Sequence, residues 1–235
     1  LRSGGYTHLL KGKKLASGLL IVGASLVVLV EAQSRRLGPT AIPAGSVPSF
    51  AGNAQHTAIY PPTVPNLNRI RWSATIDFSN SGKPAHYGAP LVTAANTVLA
   101  PIKIVGNAFR VDAFDAGTGA TKYSLTTDYI LPGHTWIPVY NPCLTTGSFG
   151  TRLYYAGAGG TIYHIDNPDS ASHGAPVQEV FYTTLAHYLS NAAAYNGSVF
   201  INTPLTADSS GNVFFGFRVQ GAAPAPAPLS TAQSG

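Results

Sequence analysis

The segment Ala113-Phe114-Asp115-Ala116-Gly117-Thr118-Gly119-Ala120-Thr121-Lys122-Tyr123 carries the chemistry of a chain reversal between two strands. Asp115 and Thr118 have short polar side chains that hydrogen-bond their own backbone across a turn, and Gly117 and Gly119 can supply positive φ. The flanks, residues 109–114 and 121–125, are short and rich in β-formers. The spacing therefore predicts a β-hairpin with this turn at its tip.

Outward from that hairpin the same alternation of β-rich runs and turn residues continues. Residues 89–100 (APLVTAANTVLA) reverse at Ala94-Ala95-Asn96, and the run 102–114 leads into the first turn. Residues 69–76, around Trp72, and 177–183 read as further strands. Residues 153–155 and 161–165 flank Gly157-Ala158-Gly159-Gly160, which has no helix or downstream acid to make it a nucleotide loop and reads as a turn. Tyr195-Asn196-Gly197-Ser198 reads as a type I′ turn before a strand over 199–202. Asp208-Ser209-Ser210-Gly211-Asn212 turns into a strand over 213–219. Only 184–194 (TLAHYLSNAAA) has helical composition, as one short helix or a loop.

These runs recur as units. One begins at Ala89-Pro90-Leu91-Val92, a second near Ile137-Pro138-Val139 and a third at Thr203-Pro204-Leu205-Thr206. The first spacing fits a four-stranded antiparallel sheet, and the longer second one implies an insertion around 184–196.

Composition agrees with an exported, turn-rich all-β chain. Only 10% of the 235 residues are charged, with 25 Gly and 18 Pro. The net charge of +5 is misleading, because Arg2, Lys11, Lys13, Lys14, Arg35 and Arg36 lie ahead of the folded region. Beyond position 36, eight basic residues meet eight acidic ones, so no nucleic-acid partner is expected. Cys143 is the single cysteine; flanked by Pro142 and Leu144, it reads as a small buried hydrophobe.

At the N-terminus, Lys11-Gly12-Lys13-Lys14 precedes 16 apolar or small residues over 15–30, followed by Val30-Glu31-Ala32. That is the pattern of a signal peptide over 1–32; the alternative is an uncleaved N-terminal membrane anchor. Either places the rest outside the cytoplasmic membrane, in the periplasm or beyond the cell, with membrane contact only through this segment. Residues 33–50 read as a flexible linker and 222–235 as a Pro/Ala-rich flexible tail. The chain starts at Leu1 and contains no Met, which reads as a fragment.

The positions of Ala113, Asp115, Thr118, Gly119 and Tyr123 resemble the repeat Ala-x-Asp-x-x-Thr-Gly-x-x-x-Trp of quinoprotein-type (PQQ-like) β-propellers, with Tyr123 in place of the Trp. Gly52-Asn53-Ala54-Gln55-His56-Thr57 followed by Ile70-Arg71-Trp72 resembles the lead-in of secreted bacterial members. Pro204-Leu205-Thr206-Ala207-Asp208 with Gly211-Asn212-Val213-Phe214-Phe215-Gly216 resembles the opening hairpin of a blade. The resemblance covers 51–221. It implies an all-β fold, a β-propeller of four-stranded antiparallel blades. About three to four blades fit, fewer than most closed rings, as in the N-terminal portion of a longer exported protein. Departures matter. The second unit has Asp166-Asn167-Pro168-Asp169-Ser170 where the first has its Thr-Gly turn. The chain has neither the Cys-Cys pair of the quinoprotein alcohol dehydrogenases nor a Cys-x-x-Cys-His haem motif.

His134 and Trp136, on a loop after Pro132-Gly133, with Tyr140, are the candidate ligand residues. Trp72 reads as packing between blades. The seven His show no His-x-His or His-x-x-x-His pair, and Asp208-Ser209-Ser210-Gly211-Asn212 offers too few oxygens for Ca²⁺. Asp112 and Asp115 do not make an acid/base pair by themselves, and no catalytic residue is assigned. The expectation is a binding or scaffold module with a protein, glycan or small molecule at a propeller face and no evident cofactor. The alternative is a quinoprotein-type oxidoreductase, using PQQ and Ca²⁺, whose catalytic blades lie outside this fragment.

Overall fold

The structure is a computed structural model that describes residues 46–59, 68–78, 88–133, 140–208, 210–220 and 227–229. The chain divides into two units, Leu1–Arg36 and Leu37–Gly235, and every described residue belongs to the second. The expected signal or anchor segment over 1–32 lies outside the described residues. Among those described, no helix is long and apolar enough to cross a membrane.

The Asp115 turn closes a hairpin in a four-stranded antiparallel meander: β1 (Leu91–Val92), β2 (Thr97–Ile104), β3 (Ala108–Asp115) and β4 (Thr121–Ile130). Asp115 Oδ1 accepts from the Gly117 and Thr118 amides at 3.0 and 2.8 Å and from Thr118 Oγ1 at 2.8 Å. Gly119 adopts φ 76° and donates its amide to the Asp115 carbonyl. The run expected over 102–114 is split by a reversal at Val105–Asn107, where Gly106 and Asn107 take positive φ. Of residues 69–76, expected as a strand, only the end meets a sheet: the Ile76 carbonyl accepts the Lys103 amide of β2 at 2.9 Å, and Asp77 forms an isolated parallel bridge with Lys103. The indole of Trp72 instead caps the Asp115 turn, with Nε1 donating to the Ala116 carbonyl at 2.9 Å. Trp72 lies over Phe114, Ala100 and Ile102 on one face of this first sheet, so it packs on a sheet face where packing between blades was expected.

The second sheet repeats the meander with β5 (Cys143–Gly147), β6 (Gly150–Ala156), β7 (Ile162–Asp166) and β8 (Val177–Glu179). Correspondence between the sheets is close. Each opens with Pro followed by a fully buried residue, Pro90-Leu91 and Pro142-Cys143. Each reverses between its second and third strands through a three-residue turn with a left-handed central Gly, Gly106 or Gly159. Each third strand ends in Asp, Asp115 or Asp166. Asn141 thus stands where Ala89 does in the first sheet, while residues 137–139, expected to open the second unit, lie outside the described residues.

Between β8 and the third unit run two short helices, α1 (Leu185–Ser190) and α2 (Ala192–Asn196). Thr184 caps α1 by accepting the His187 amide at 3.2 Å. The I′ turn expected at 195–198 is instead the end of α2. Gly197 sits at φ −81°, ψ −11° and donates to the Ala193 carbonyl, and Ser198 Oγ bonds Ala194 O at 2.7 Å. A run of three alanines (192–194) propagates helix where Asn-Gly alone favours a hairpin.

The third unit is a two-stranded kinked hairpin where a four-stranded blade was expected. Strand β9 (Val199–Ile201) pairs with β12 (Phe217–Val219), and β10 (Thr206–Ala207) pairs with β11 (Val213–Phe214). The ladder slips by two residues across 202–205, where Gly216 N donates to Thr203 Oγ1 at 2.6 Å. Pro204-Leu205 repeats the opening Pro and buried residue, with Leu205 1% exposed.

One continuous apolar core joins the three units. Leu99, Val111 and Leu125 of the first sheet share it with Leu153 and Ile165 of the second and Ile201 and Leu205 of the hairpin. The second sheet is buried on both faces, since neighbours Leu153, Tyr154 and Tyr155 are all nearly inaccessible. Within the stretch read as linker, Val47 pairs with Val92 and Pro48 accepts the Leu144 amide. Within the stretch read as tail, Leu229 packs with Tyr188, Tyr195 and Val219. The described residues are thus mostly β, in antiparallel sheets, and close neither a barrel nor a ring of blades.

Three substitutions test this packing. A Cβ at Gly88 would lie 2.1 Å from the Tyr140 carbonyl oxygen and 2.8 Å from Pro101. Gly88→Ala should lower urea-unfolding stability by about 3 kcal/mol, and Gly133→Ala, where nothing lies within 4 Å, by less than about 1 kcal/mol. Tyr155 is fully buried with a hydroxyl that has no hydrogen-bond partner. Tyr155→Phe should leave stability unchanged or raise it by up to about 1 kcal/mol, since it removes an unpaired buried polar group.

Candidate functional site

The third unit's inner hairpin is built by its turn. Asp208 Oδ1 accepts the Ser210 and Asn212 amides, both at 2.9 Å, and Oδ2 accepts Asn212 Nδ2 at 2.8 Å. These bonds exhaust most of the carboxylate, which is why the segment acts as a turn. They also hold the Asp208 carboxyl below its ordinary value of 3.8, chiefly through the Asn212 side chain and amide. On the strands above, Thr206 stands opposite Phe214.

A second local device comes from far earlier in the chain. Asn53 Oδ1 accepts the Gln55 and Thr57 amides, each at 3.1 Å, and Asn53 Nδ2 donates to Thr57 Oγ1 at 2.6 Å. Around it Ala51, His56 and Ala58 all sit in the left-handed region, with φ between 53° and 55°. His56 Nε2 lies 2.9 Å from Thr206 Oγ1, joining residues 150 positions apart.

Between the two lies an open cleft of about 500 Å³ lined by Ala54, Gln55, His56, Thr203, Pro204, Thr206, Asp208, Phe214 and Phe215. Pro204, Phe214 and Phe215 supply apolar surface, and Gln55, His56, Thr206 and Asp208 supply polar groups. The volume falls within the range of small-molecule sites, about 300–1,000 Å³. A single carboxylate engaged in its own turn, beside an imidazole held by a threonine, offers recognition but no acid/base pair. Among the described residues no group of three His, Cys, Asp or Glu side chains is placed to hold a metal.

Of the residues expected as ligands, only Tyr140 is among those described. His134 and Trp136 lie outside the described residues. Tyr140 is a core ring, 2% exposed, stacked on Phe109 at 4.5 Å and donating to the Ala156 carbonyl at 3.3 Å. Asp115, Thr118 and Gly119 form the β3–β4 turn, with Ala113 buried just before it. Tyr123 ties the first sheet to the β7–β8 loop, donating to Pro168 O with its ring against His173. Cys143 is fully buried, and burial pushes its thiol well above the ordinary range, in keeping with a core residue. His56 was missed as a site residue. Its turn and the Pro204 hairpin are both legible as local motifs, but nothing in either says they meet.

Comparison with protein-family models, with curated proteins and with solved structures finds no match for the chain.

The Asp208 turn carries a pH signature. A carboxyl depressed in the folded state contributes stability above its unfolded value, near 3.8, and loses it as pH falls through the depressed one. The stability difference between the native chain and Asp208→Asn, followed by urea midpoints, should therefore shrink steadily below about pH 3.8. A difference independent of pH would contradict this origin.

Proposed function

We propose that the chain is part of an exported β-propeller of the PQQ-like kind, working as a binding module through the His56–Phe214 cleft. What supports the architecture is the meeting of equivalent positions. Asn141 opens the second unit, accepts the Ala89 amide on Oδ1 at 2.6 Å and accepts the Leu205 amide on its carbonyl at 3.0 Å. Ala89 opens the first unit and Leu205 carries the third unit's Pro-plus-buried-residue motif, so three equivalent positions draw together at one point, as blades fanned about an axis require. The Asp115–Gly119 turn stands in the positions of the family repeat and is capped by the Trp72 indole.

The observation that carries the binding reading is the cleft, where a strained turn and a hairpin tip present polar groups around exposed aromatic surface. Binding sites gather on loops held by a rigid scaffold, and this one joins two such loops. A propeller face of this kind suits a small molecule or the side chains of a glycan or protein.

The test is a fragment screen by ¹⁵N chemical-shift mapping. Weak binders should perturb His56, Thr206 and Phe214 together, and Phe214→Ala should weaken them about tenfold while leaving the fold intact, since Phe214 is 58% exposed. Binders confined to other surfaces, or none at all, would end this reading.

A further inference from the structure

The composition of the cleft narrows its ligand. Phe214 stands on the exposed face of the hairpin, directly across the ladder from Thr206. Gln55 provides an amide that both donates and accepts, and its side chain makes no hydrogen bond within the described structure. Asp208 remains an ionised acceptor, since the turn already depresses its carboxyl, and one lone pair of Oδ2 remains beyond its bond from Asn212. His56 and Thr206 together present an imidazole edge and a hydroxyl.

Several ligand classes fit this set poorly. An anion would face the Asp208 charge with no Lys or Arg among the described lining residues to offset it. A wholly apolar ring would strip water from Gln55 and Asp208 and return no hydrogen bond. A metal ion would compete with the turn amides for the same carboxylate oxygens. A neutral ligand with one apolar face and a rim of hydroxyls matches both halves of the cleft: its C–H face lies on Phe214, and its hydroxyls donate to Asp208 and exchange bonds with Gln55 and His56.

We propose, resting on the binding reading above, that the cleft takes a neutral saccharide, with one pyranose ring against Phe214 and adjacent hydroxyls bridged by Gln55 and Asp208. Asp208 disfavours anions, Gln55 and Asp208 engage hydroxyls, and Phe214 supplies the platform. No bond is made or broken.

The experiment titrates the full chain by ¹⁵N chemical shifts with maltotriose, cellotriose and xylotriose. Trigalacturonate, a glucosamine trimer and indole serve as the anionic, cationic and apolar probes. At least one neutral trisaccharide should bind at millimolar concentration with shifts at His56, Thr206 and Phe214. Phe214→Ala and Gln55→Ala should each weaken it about tenfold, and Phe214→Tyr should retain it. An unchanged melting temperature in each variant separates lost binding from lost fold. If trigalacturonate or the glucosamine trimer binds the cleft more tightly than every neutral sugar, or indole binds while no neutral sugar does, the saccharide assignment is wrong. The cleft would still stand as a ligand site. If no probe of any class perturbs the cleft, and fragments also fail there, both readings fall.

Discussion

The arrangement of the three units depends on how one buried amide is satisfied. Asn141 is 4% exposed, and a side chain with two donors and two acceptor positions cannot be left unpaired at that depth without a cost of about 1–3 kcal/mol per orphaned group. Its Oδ1 takes the Ala89 amide, its Nδ2 donates to Pro142 O at 3.0 Å, and its backbone carbonyl takes the Leu205 amide. The bonds to Ala89 and Leu205 tie the start of the first sheet and the kink of the third unit to the start of the second. The neighbouring Tyr140 carbonyl lies so close to Gly88 that no side chain fits between. Hydrophobic burial alone would let the sheets slide over one another. The directional bonds at Asn141 set their position.

A second polar knot does the same work just beyond the end of β6. The turn Ala158–Gly160 is entirely buried, so its backbone groups must find partners within the protein. They find them mainly in side chains from other elements. The Ala158 amide goes to Asp128 of β4, and the Gly159 carbonyl takes the Tyr182 hydroxyl at 2.7 Å. The adjoining Ala156 carbonyl takes Thr127 Oγ1 at 2.7 Å as well as the Tyr140 hydroxyl. Gly159 and Gly160 are required here for two reasons, positive φ and close approach. A Cβ on Gly159 would meet Asn196 and Tyr188 within 2.8 Å. The tyrosine-rich composition thus has a structural meaning: a phenol fills volume like a core residue and still ends in a donor.

What was legible in the sequence follows from the range of the forces involved. The Asp115 turn and the Asp208 turn depend on side chains bonding backbone within four residues, and both appear as read. The reversal at Gly106-Asn107 is equally local, yet its apolar flanks conceal it within what looks like one long strand. At 195–198 the Asn-Gly pair competed with preceding alanines, and the helix prevailed. Residues 69–76 have strand composition, yet most of the stretch lays Trp72 on a sheet face and only its end, at Ile76, bonds to β2. The second unit's start required knowing that Asn141 occupies the place of Ala89. None of the local rules could bring His56 to Thr206, since that contact depends on the whole stack between them.

That dependence also explains how the cleft can hold its shape. Three L-residues in the left-handed region within eight positions cost about 1–3 kcal/mol each, more than an exposed turn supplies by itself. The segment persists because its root is fastened. Val47 exchanges both backbone bonds with Val92, and Pro48 accepts the Leu144 amide at 2.6 Å, so residues 47–48 bridge the opening strands of both sheets. Ser49, just beyond, is 3% exposed. The Ala58 amide then closes back onto the Ala51 carbonyl at 2.8 Å, and His56 reaches Thr206. The strain and these bonds are of similar magnitude, so the turn is held without a large surplus. A segment balanced in this way is preorganised for a ligand and sensitive to it, because even a weak contact at His56 is a sizeable fraction of what keeps the turn in place.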